Sequence, residues 1–223
     1  MPVIRNYLQI RGSAAEIAAL LRFIQNDAEG IGSIDFNAIE PMPPWIYQGE
    51  LSPEAEQRYG AENCWKRWCL SHWGCARNAV FPERSAEEYD GGDMILFFTE
   101  DCDVRELMRK LSLVFKSPRF DYMWADEETG KSAGLISFRD GVATPQILPE
   151  SYSREAYELA FDAFGTQPED HGLTIGSDDD TYIYSKGKED NDDDNSENPQ
   201  DHTEFGQAEG GGGGGTRRSV RGS

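Results

Sequence analysis

Three cysteines and one histidine between residues 64 and 75 have the chemistry of a metal site. Cys64, Cys69, His72 and Cys75 follow the pattern C-x4-C-x2-H-x2-C, and tetrahedral zinc accepts thiolate together with imidazole. The spacing, however, differs from the common zinc-binding patterns. We therefore favour the alternative in which the cysteines are small core residues and His72 packs beside Trp68. No bound metal or other cofactor is predicted.

Cys69 and His72 also have the types of a nucleophile and its general base. They lie three positions apart, so on a helix their side chains share a face and can touch. The sequence supplies no obvious oxyanion hole or orienting carboxylate for such a pair, and a buried thiol is usually inert. We therefore assign no catalytic residue and lean towards a protein that is not an enzyme.

Acidic side chains near one predicted strand end offer a second kind of site. A small metal-dependent hydrolase would use such carboxylates to hold magnesium. Gly130 and Lys131 nearby favour a solvated turn between two strands instead, and Asp101 and Asp103 are better explained as helix-capping residues. The hydrolase is kept as a second alternative. The carboxylates concerned are Asp121, Asp126, Glu127 and Glu128.

Trp65, Trp68 and Trp73 concentrate aromatic area in one short segment. Rings of this size usually anchor a helix on a sheet, whereas exposed tryptophans are enriched at the hot spots of protein interfaces. We favour core packing for these rings and keep a recognition surface as the alternative.

The charge of the chain excludes several classes of function. It has 41 acidic and 21 basic residues, which gives a net charge of −20. Such acidity argues against ordinary binding of phosphate backbones and against an anionic membrane surface. The sequence has no apolar run long enough to cross a membrane and no recognisable signal peptide. We therefore predict a cytoplasmic protein with reduced thiols.

Hydrophobic periodicity predicts the elements that must position these residues. Residues 3–11 alternate as a half-buried strand, and Ser13 with Glu16 forms a capping box before an amphipathic helix over 14–28. Ser52 and Pro53 begin a further helix whose second part carries the tryptophans. Further strands are predicted over 33–40, 78–82, 94–99, 120–125 and 135–139, and further helices after Asp101 or Asp103 and over 152–164.

Without the inserted helix near 52–73, these elements repeat a strand–helix–strand unit. That repeat predicts an α+β fold of the ferredoxin-like kind, an antiparallel sheet with helices packed on one face. The opposite face would then be free of helices and display Tyr7, where single-stranded RNA is a conceivable ligand. We place this domain at residues 1–165.

Residues 166–223 differ in composition from the domain. They hold 14 acidic and 5 basic residues, against 27 and 16 in residues 1–165, and they contain an uninterrupted glycine run from Gly210 to Gly215. Few apolar residues are present to offset the entropy of ordering, so a disordered acidic tail is predicted. Tyr182 to Tyr184 is the one apolar island, and a short docking strand is the alternative there.

Several short motifs resemble the YubB-like family of phage and conjugative-plasmid proteins, which carries a ferredoxin-like domain. The most specific is W-C-L-S-H-W-G from Trp68 to Gly74. The chain departs from the family at residues 75–77, where Thr-Lys-Trp is usual, and at residues 100–103. The other motifs are Asn6-Tyr7-Leu8 with Gly12, Phe36-Asn37-Ala38 before Pro41-Met42-Pro43, Asn78-Ala79, Phe97-Phe98-Thr99, and Tyr122 to Gly130 with Gly134.

The resemblance implies a mobile-element accessory protein and implies neither substrate nor cofactor. Together with the acidic charge, it favours a non-enzymatic protein that binds a basic site on a host protein, with anti-defence as the expected context. The alternative is a nucleic-acid-binding module in replication or transfer of the element, for which Arg5, Arg11, Arg22, Lys66, Arg67 and Arg77 would have to cluster. The predicted binding residues are Trp68, His72, Trp73, Arg77, Asn78, Tyr122, Asp126 and Glu127.

Overall fold

A five-stranded antiparallel sheet organises the part of the chain that the structure, a computed structural model, describes: residues 3–80, 91–177 and 180–185. The strand order is β2-β1-β3-β4-β5, so the first strand lies inside the sheet. The described residues belong to one compact unit that ends at Ser185. The strands are β1 (Val3–Arg11), β2 (Met94–Glu100), β3 (Arg119–Asp126), β4 (Ala133–Arg139) and β5 (Val142–Ile147).

One face of the sheet carries the main core. The alternation in β1 buries Ile4, Leu8 and Ile10 on this face, as the sequence predicts. Helices α1 (Ala14–Ile24) and α5 (Arg105–Val114) cover it with their apolar stripes. The capping box predicted for α1 is confirmed, because the hydroxyl of Ser13 accepts from the amide of Glu16 while the Glu16 carboxylate accepts from the amide of Ser13.

The opposite face of the sheet is also covered by a helix, which differs from the prediction of helices on one face only. Helix α6 (Arg154–Phe164) packs its alanines against Ala125 and Ala133 of the sheet. The hydroxyl of Tyr7 donates to the carbonyl of Ala163 at 2.7 Å. Tyr7 is therefore a packing residue beneath α6 and does not lie on a helix-free sheet face.

The prediction of a strand over residues 33–40 is wrong. Its apolar residues alternate, but Asp35 caps a one-turn helix α2 (Phe36–Ile39) by accepting from the amide of Asn37 at 2.9 Å. Phe36 and Ile39 are buried on one side of that turn. The segment does not join the sheet. Although β2, α5 and β3 form one strand–helix–strand unit around β1, the ferredoxin-like topology is not confirmed.

The helix predicted near 52–73 is present but divided in two. The first part is α3 (Pro53–Tyr59), and Gly60 ends it with φ of +84°. A 3-10 turn, Ala61–Asn63, leads into the second part, α4 (Trp65–His72). After α4, Val80 exchanges both backbone hydrogen bonds with Phe98 of β2, and residues 81–82 of the predicted strand lie outside the described residues.

Residues beyond 165 continue the fold as far as Ser185, which differs from a tail disordered throughout. After a 3-10 turn, Pro168–His171, strands β6 (Leu173–Ile175) and β7 (Tyr182–Tyr184) pair as a hairpin. Leu173 is 2% exposed and clusters with Tyr157 and Phe161 of α6, where the ring of Tyr182 joins them. The predicted apolar island is therefore a docked strand. None of the described helices is long and apolar enough to cross a membrane.

Candidate functional site

A tryptophan on a proline-stiffened turn is the most exposed large aromatic of the segment between α2 and α4. Trp45 is 74% exposed, while the next residue, Ile46, is buried in the main core. The amide of Ile46 donates to the carbonyl of Pro43 at 3.1 Å, which closes the turn. Because Pro43 and Pro44 fix their own φ angles, the turn is stiff. It therefore presents the indole ring to solvent at little cost in backbone entropy.

The backbone of Tyr47 connects this turn to the segment that contains α3 and α4. The Tyr47 amide donates to the carbonyl of Asn63 at 2.8 Å, and the amide of Trp65 donates to the carbonyl of Tyr47 at 2.9 Å. The Tyr47 ring stacks on the ring of Tyr59, the last residue of α3, with centroids 4.3 Å apart. The same ring lies against Gly49, where a Cβ would overlap it. These contacts join the exposed turn and α3 into one surface.

Carboxylates surround this aromatic surface. Helix α3 is capped by Ser52, whose hydroxyl accepts from the amide of Ala55, and acidic residues in its first turn suit the positive end of the helix dipole. Hydrogen bonds from its own backbone amide and from the Ser52 hydroxyl hold the pKa of Glu54 below its ordinary value. One base is present, Arg58, which stacks over Tyr59. The exposed carboxylates are Glu50, Glu54, Glu56 and Glu62.

We name this surface the acidic aromatic ridge and define it as residues 45–62, with Trp45, Tyr47 and Tyr59 as its rings. A groove of about 460 Å³ borders it, and Gln48 of the ridge forms part of the groove wall. Arg77 on the far side is 59% exposed at its side chain and lies 3.6 Å from the Glu100 carboxylate. The groove is lined by Met42, Gln48, Trp65, Cys69, Trp73, Ala76, Arg77 and Asn78.

Of the predicted aromatic binding residues, Trp68 and His72 lie on α4, and Trp73, directly after it, lines the groove. Trp68 and Trp73 are 6% and 5% exposed, so both mainly pack in the core. The His72 ring stacks on Trp68 with centroids 4.3 Å apart. Sequence reasoning favoured core packing for Trp65, Trp68 and Trp73. The burial of Trp68 and Trp73 agrees with it, whereas Trp65 is half-buried and lines the groove.

His72 also belongs to a polar cluster at the end of α4. Its Nδ1 lies 2.7 Å from Oε1 of Glu40, and the ammonium of Lys110 pairs with Oε2 of the same carboxylate. The Lys110 ammonium also donates to the carbonyl of His72 at 2.7 Å, and the Trp73 indole donates to the carbonyl of Glu40 at 2.9 Å. Burial works to raise the pKa of Glu40, but hydrogen bonds from Lys110 and His72 outweigh it and lower that pKa. The cluster ties α2, α4 and α5 together.

Asn78, also a predicted binding residue, holds the backbone of the neighbouring loops. Its Oδ1 accepts from the amide of Phe36 at 2.9 Å, and its Nδ2 donates to Oδ1 of Asp35 at 2.6 Å. The side chain therefore fixes α2 against the loop after α4. Of the predicted binding residues near α4, Arg77 is the one whose side chain is mostly exposed.

The remaining predicted binding residues lie on β3 and in the turn after it. Tyr122 is fully buried, Asp126 is 3% exposed, and Glu127 is exposed. Asp126 Oδ1 accepts from the amide of Glu128 at 2.9 Å, which is the bond of a turn. Within the described residues, no hydrogen bond, ion pair or ring contact joins these three to Trp68, His72 or the ridge.

The four cysteines do not surround one point. Cys64 donates to the carbonyl of Gly60 from the start of α4, and Cys75 to the carbonyl of Glu100 in a separate loop. Burial raises the pKa of Cys69 to about 11, so this side chain is a thiol at neutral pH. The described residues contain no group of three His, Cys, Asp or Glu side chains placed to hold a metal ion.

Trp45 is the residue that sequence reasoning missed. The sequence shows that it follows Pro43 and Pro44 in a stiff loop, but the exposure of its ring depends on the anchoring of Ile46 in the core. The helical spacing of Trp65, Trp68 and Trp73 is the stronger pattern in the sequence, and of these the structure buries Trp68 and Trp73.

Comparison with protein-family models, with curated proteins and with solved structures finds no match for this chain. The resemblance to the YubB-like family, and the mobile-element context that it implies, therefore stay predictions.

Proposed function

We propose that this chain is a binding protein for a protein partner with a basic segment, and that the acidic aromatic ridge is the contact surface. The observation that carries the proposal is Trp45, a ring held 74% exposed by a stiff turn whose next residue is anchored in the core. An exposed, preorganised indole is a typical anchor of protein interfaces. The turn loses little backbone entropy on binding because its backbone is already fixed.

The charge around the rings selects the chemistry of the partner. The ridge carries four exposed carboxylates and one arginine, Arg58. The guanidinium of Arg58 already stacks on Tyr59. A guanidinium or ammonium group can stack on the face of the Trp45 indole and pair with a carboxylate beside it. The net charge of −20 would steer such a basic segment towards the protein from a distance. A lysine- or arginine-rich segment is therefore the partner that this surface fits.

The first test compares two exposed aromatic residues. Trp45→Ala removes the ridge ring, and Tyr184→Ala removes a ring that is equally exposed, at 77%, on β7. The probe is a short oligo-arginine peptide titrated into the full chain by calorimetry, with an oligo-glutamate peptide as the negative control. We expect Trp45→Ala to weaken binding about tenfold or more, as for a hot-spot residue, and Tyr184→Ala to leave it unchanged. Equal losses in the two variants would contradict the proposal.

The second comparison separates the effect of the ridge carboxylates on binding from the effect of the overall charge. Glu50, Glu56 and Glu62 changed to Gln remove three exposed ridge carboxylates that make no side-chain hydrogen bond or ion pair with another described residue. A matched control changes Glu127, Glu155 and Glu169 to Gln, which are also exposed and lie outside the ridge. Both variants have the same net charge. The proposal requires the ridge variant to bind the peptide more weakly than the control, and equal affinities would mean that only net charge attracts it.

A further inference from the structure

Two cysteines from separate loops meet at one backbone oxygen. Cys75 lies in the loop after α4, and Cys102 lies between β2 and α5. Their sulfurs are 3.5 Å and 3.1 Å from the carbonyl oxygen of Glu100. The Cys102 thiol also lies within hydrogen-bonding reach of Cys75. The two positions are far apart in the sequence, so the pair is a product of the fold.

The surroundings hold the two sulfurs in place. The Thr99 hydroxyl donates to the carbonyl of Cys102 at 2.6 Å, and this hydroxyl accepts from the buried side chain of Asn6. On the other loop, Arg77 lies beside the Glu100 carboxylate. Cys75 is completely buried, whereas Cys102 is partly exposed. One member of the pair thus faces solvent while the other is enclosed.

The pair also has the electrostatics of a reactive dithiol. The hydrogen bond from Cys102 lowers the pKa of Cys75 to about 7, in spite of the opposing effect of burial. The same hydrogen bond, together with burial, raises the pKa of Cys102. The thiolate is the nucleophilic form of cysteine, so the lowered pKa prepares the enclosed Cys75 to attack a sulfur that has been oxidised at the solvent-facing Cys102. Cys69, by contrast, is held as an inert thiol.

We propose that Cys75 and Cys102 are a modification site, a dithiol that hydrogen peroxide converts to a reversible disulfide between the loop after α4 and the β2–α5 connection. The Cys102 sulfur, the member that solvent reaches, attacks one oxygen of the peroxide; the S–O bond forms, the O–O bond breaks, and hydroxide leaves with the Cys102 proton as water. The Cys75 thiolate then attacks the resulting sulfenic acid. The S–S bond forms, the S–O bond breaks, and hydroxide leaves and takes up a proton from solvent to become a second water. A dithiol reductant reverses the step by thiol–disulfide exchange.

The disulfide would close the chain segment between residues 75 and 102. Such a cross-link restricts the unfolded chain and so stabilises the folded one, provided that the native geometry accepts it. The loop that carries Cys75 also carries Ala76, Arg77 and Asn78 of the groove wall. Oxidation would therefore fix the loop that forms this part of the groove wall against the connection between β2 and α5. This inference does not depend on the proposed partner or on the ridge.

Peptide mapping tests the inference directly. The reduced full chain is treated with a small excess of hydrogen peroxide, alkylated, and digested without reductant for mass spectrometry. The expected product links the peptides of Cys75 and Cys102 with the loss of two hydrogen atoms, and dithiothreitol removes it. Cys102→Ser should abolish the link, while Cys64→Ser and Cys69→Ser should retain it.

A stability measurement covers the case in which a buried cysteine variant fails to fold. Cys102 is partly exposed, so Cys102→Ser keeps the core intact and serves as the main variant. We expect peroxide to raise the Tm of the natural chain, reductant to reverse the rise, and Cys102→Ser to show neither change. A disulfide that joins any other pair, a Cys75–Cys102 link formed only in denaturant, or over-oxidation of Cys102 without a link would each overturn the proposal.

Discussion

Tyr122 shows how a polar side chain predicted to bind a partner is used inside the fold. Its hydroxyl donates to Oδ1 of Asn6 at 2.6 Å and accepts from the amide of Val104 at 3.0 Å. The Asn6 amide group in turn donates to the Thr99 hydroxyl at 3.0 Å. Burial raises the pKa of Tyr122 far above its ordinary value, so the hydroxyl keeps its proton. One side chain thus satisfies polar groups of β1 and of the start of α5.

Removing that hydroxyl should destabilise the protein. Tyr122→Phe leaves the amide of Val104 and Oδ1 of Asn6 without this partner in a fully buried place. An orphaned buried polar group costs about 1–3 kcal/mol, so we expect the free energy of unfolding, measured by urea denaturation, to fall by about that amount. The control is Tyr184→Phe, at an exposed ring, which should change it by less than about 0.5 kcal/mol. An unchanged stability of Tyr122→Phe would mean that water replaces the hydroxyl.

At the scale of elements, periodicity predicts the long amphipathic pieces well. Strands β1, β2, β3 and β4 and helices α5 and α6 lie where the spacing of apolar residues predicts them. Helix α1 begins where predicted but ends at Ile24, four residues before the predicted end at residue 28. Each of these elements has many apolar positions on one face, so its pattern determines its type. The capping box at Ser13 is predictable for the same reason, because both of its bonds are local.

Short segments are where the sequence prediction fails. Ile34 and Phe36 alternate as in a strand, yet the Asp35 side chain caps a single helical turn, and its carboxylate is held by Asn78 from another loop. That partner is distant in the sequence, so a local pattern does not show it. The sequence does not predict strand β5 for another reason: its residues are mostly exposed, so they lack the alternation of a buried strand. A local pattern also does not show the exposure of Trp45, which depends on the anchoring of Ile46 in the core.

The β6–β7 hairpin gives the clearest test at this scale. Its composition favours disorder, and its order comes from Leu173 and Tyr182 against α6. Leu173→Ala should therefore release the hairpin at a cost of about 2 kcal/mol, the low end for a buried leucine. Hydrogen exchange should accelerate in both strands and leave β1 protected. The matched control is Ile183→Ala, at a side chain of the same hairpin that is 50% exposed. Unchanged exchange in Leu173→Ala would contradict the docked hairpin.

For the whole molecule, the net charge of −20 has two separate consequences for binding. Long-range attraction depends on the total charge and sets how often a basic partner arrives. The time for which the partner stays bound depends on the contacts at the surface that binds it. Differences in affinity among variants of one interface lie mostly in the dissociation rate. Sequence analysis could establish only the first of these, because composition does not show which carboxylates stand beside an exposed ring.

The two charge variants should therefore separate in their rate constants. Both the ridge variant, with Glu50, Glu56 and Glu62 as Gln, and its control at Glu127, Glu155 and Glu169 change the net charge from −20 to −17. We expect stopped-flow mixing with the oligo-arginine peptide to give similar reductions in the association rate for both. Added salt should lower the association rate further in each, since it screens the steering field within about 10 Å at 0.1 M. The dissociation rate should increase only in the ridge variant, where the lost carboxylates contact the bound peptide. If dissociation accelerated equally in both variants, the peptide would be held by diffuse charge rather than by the ridge.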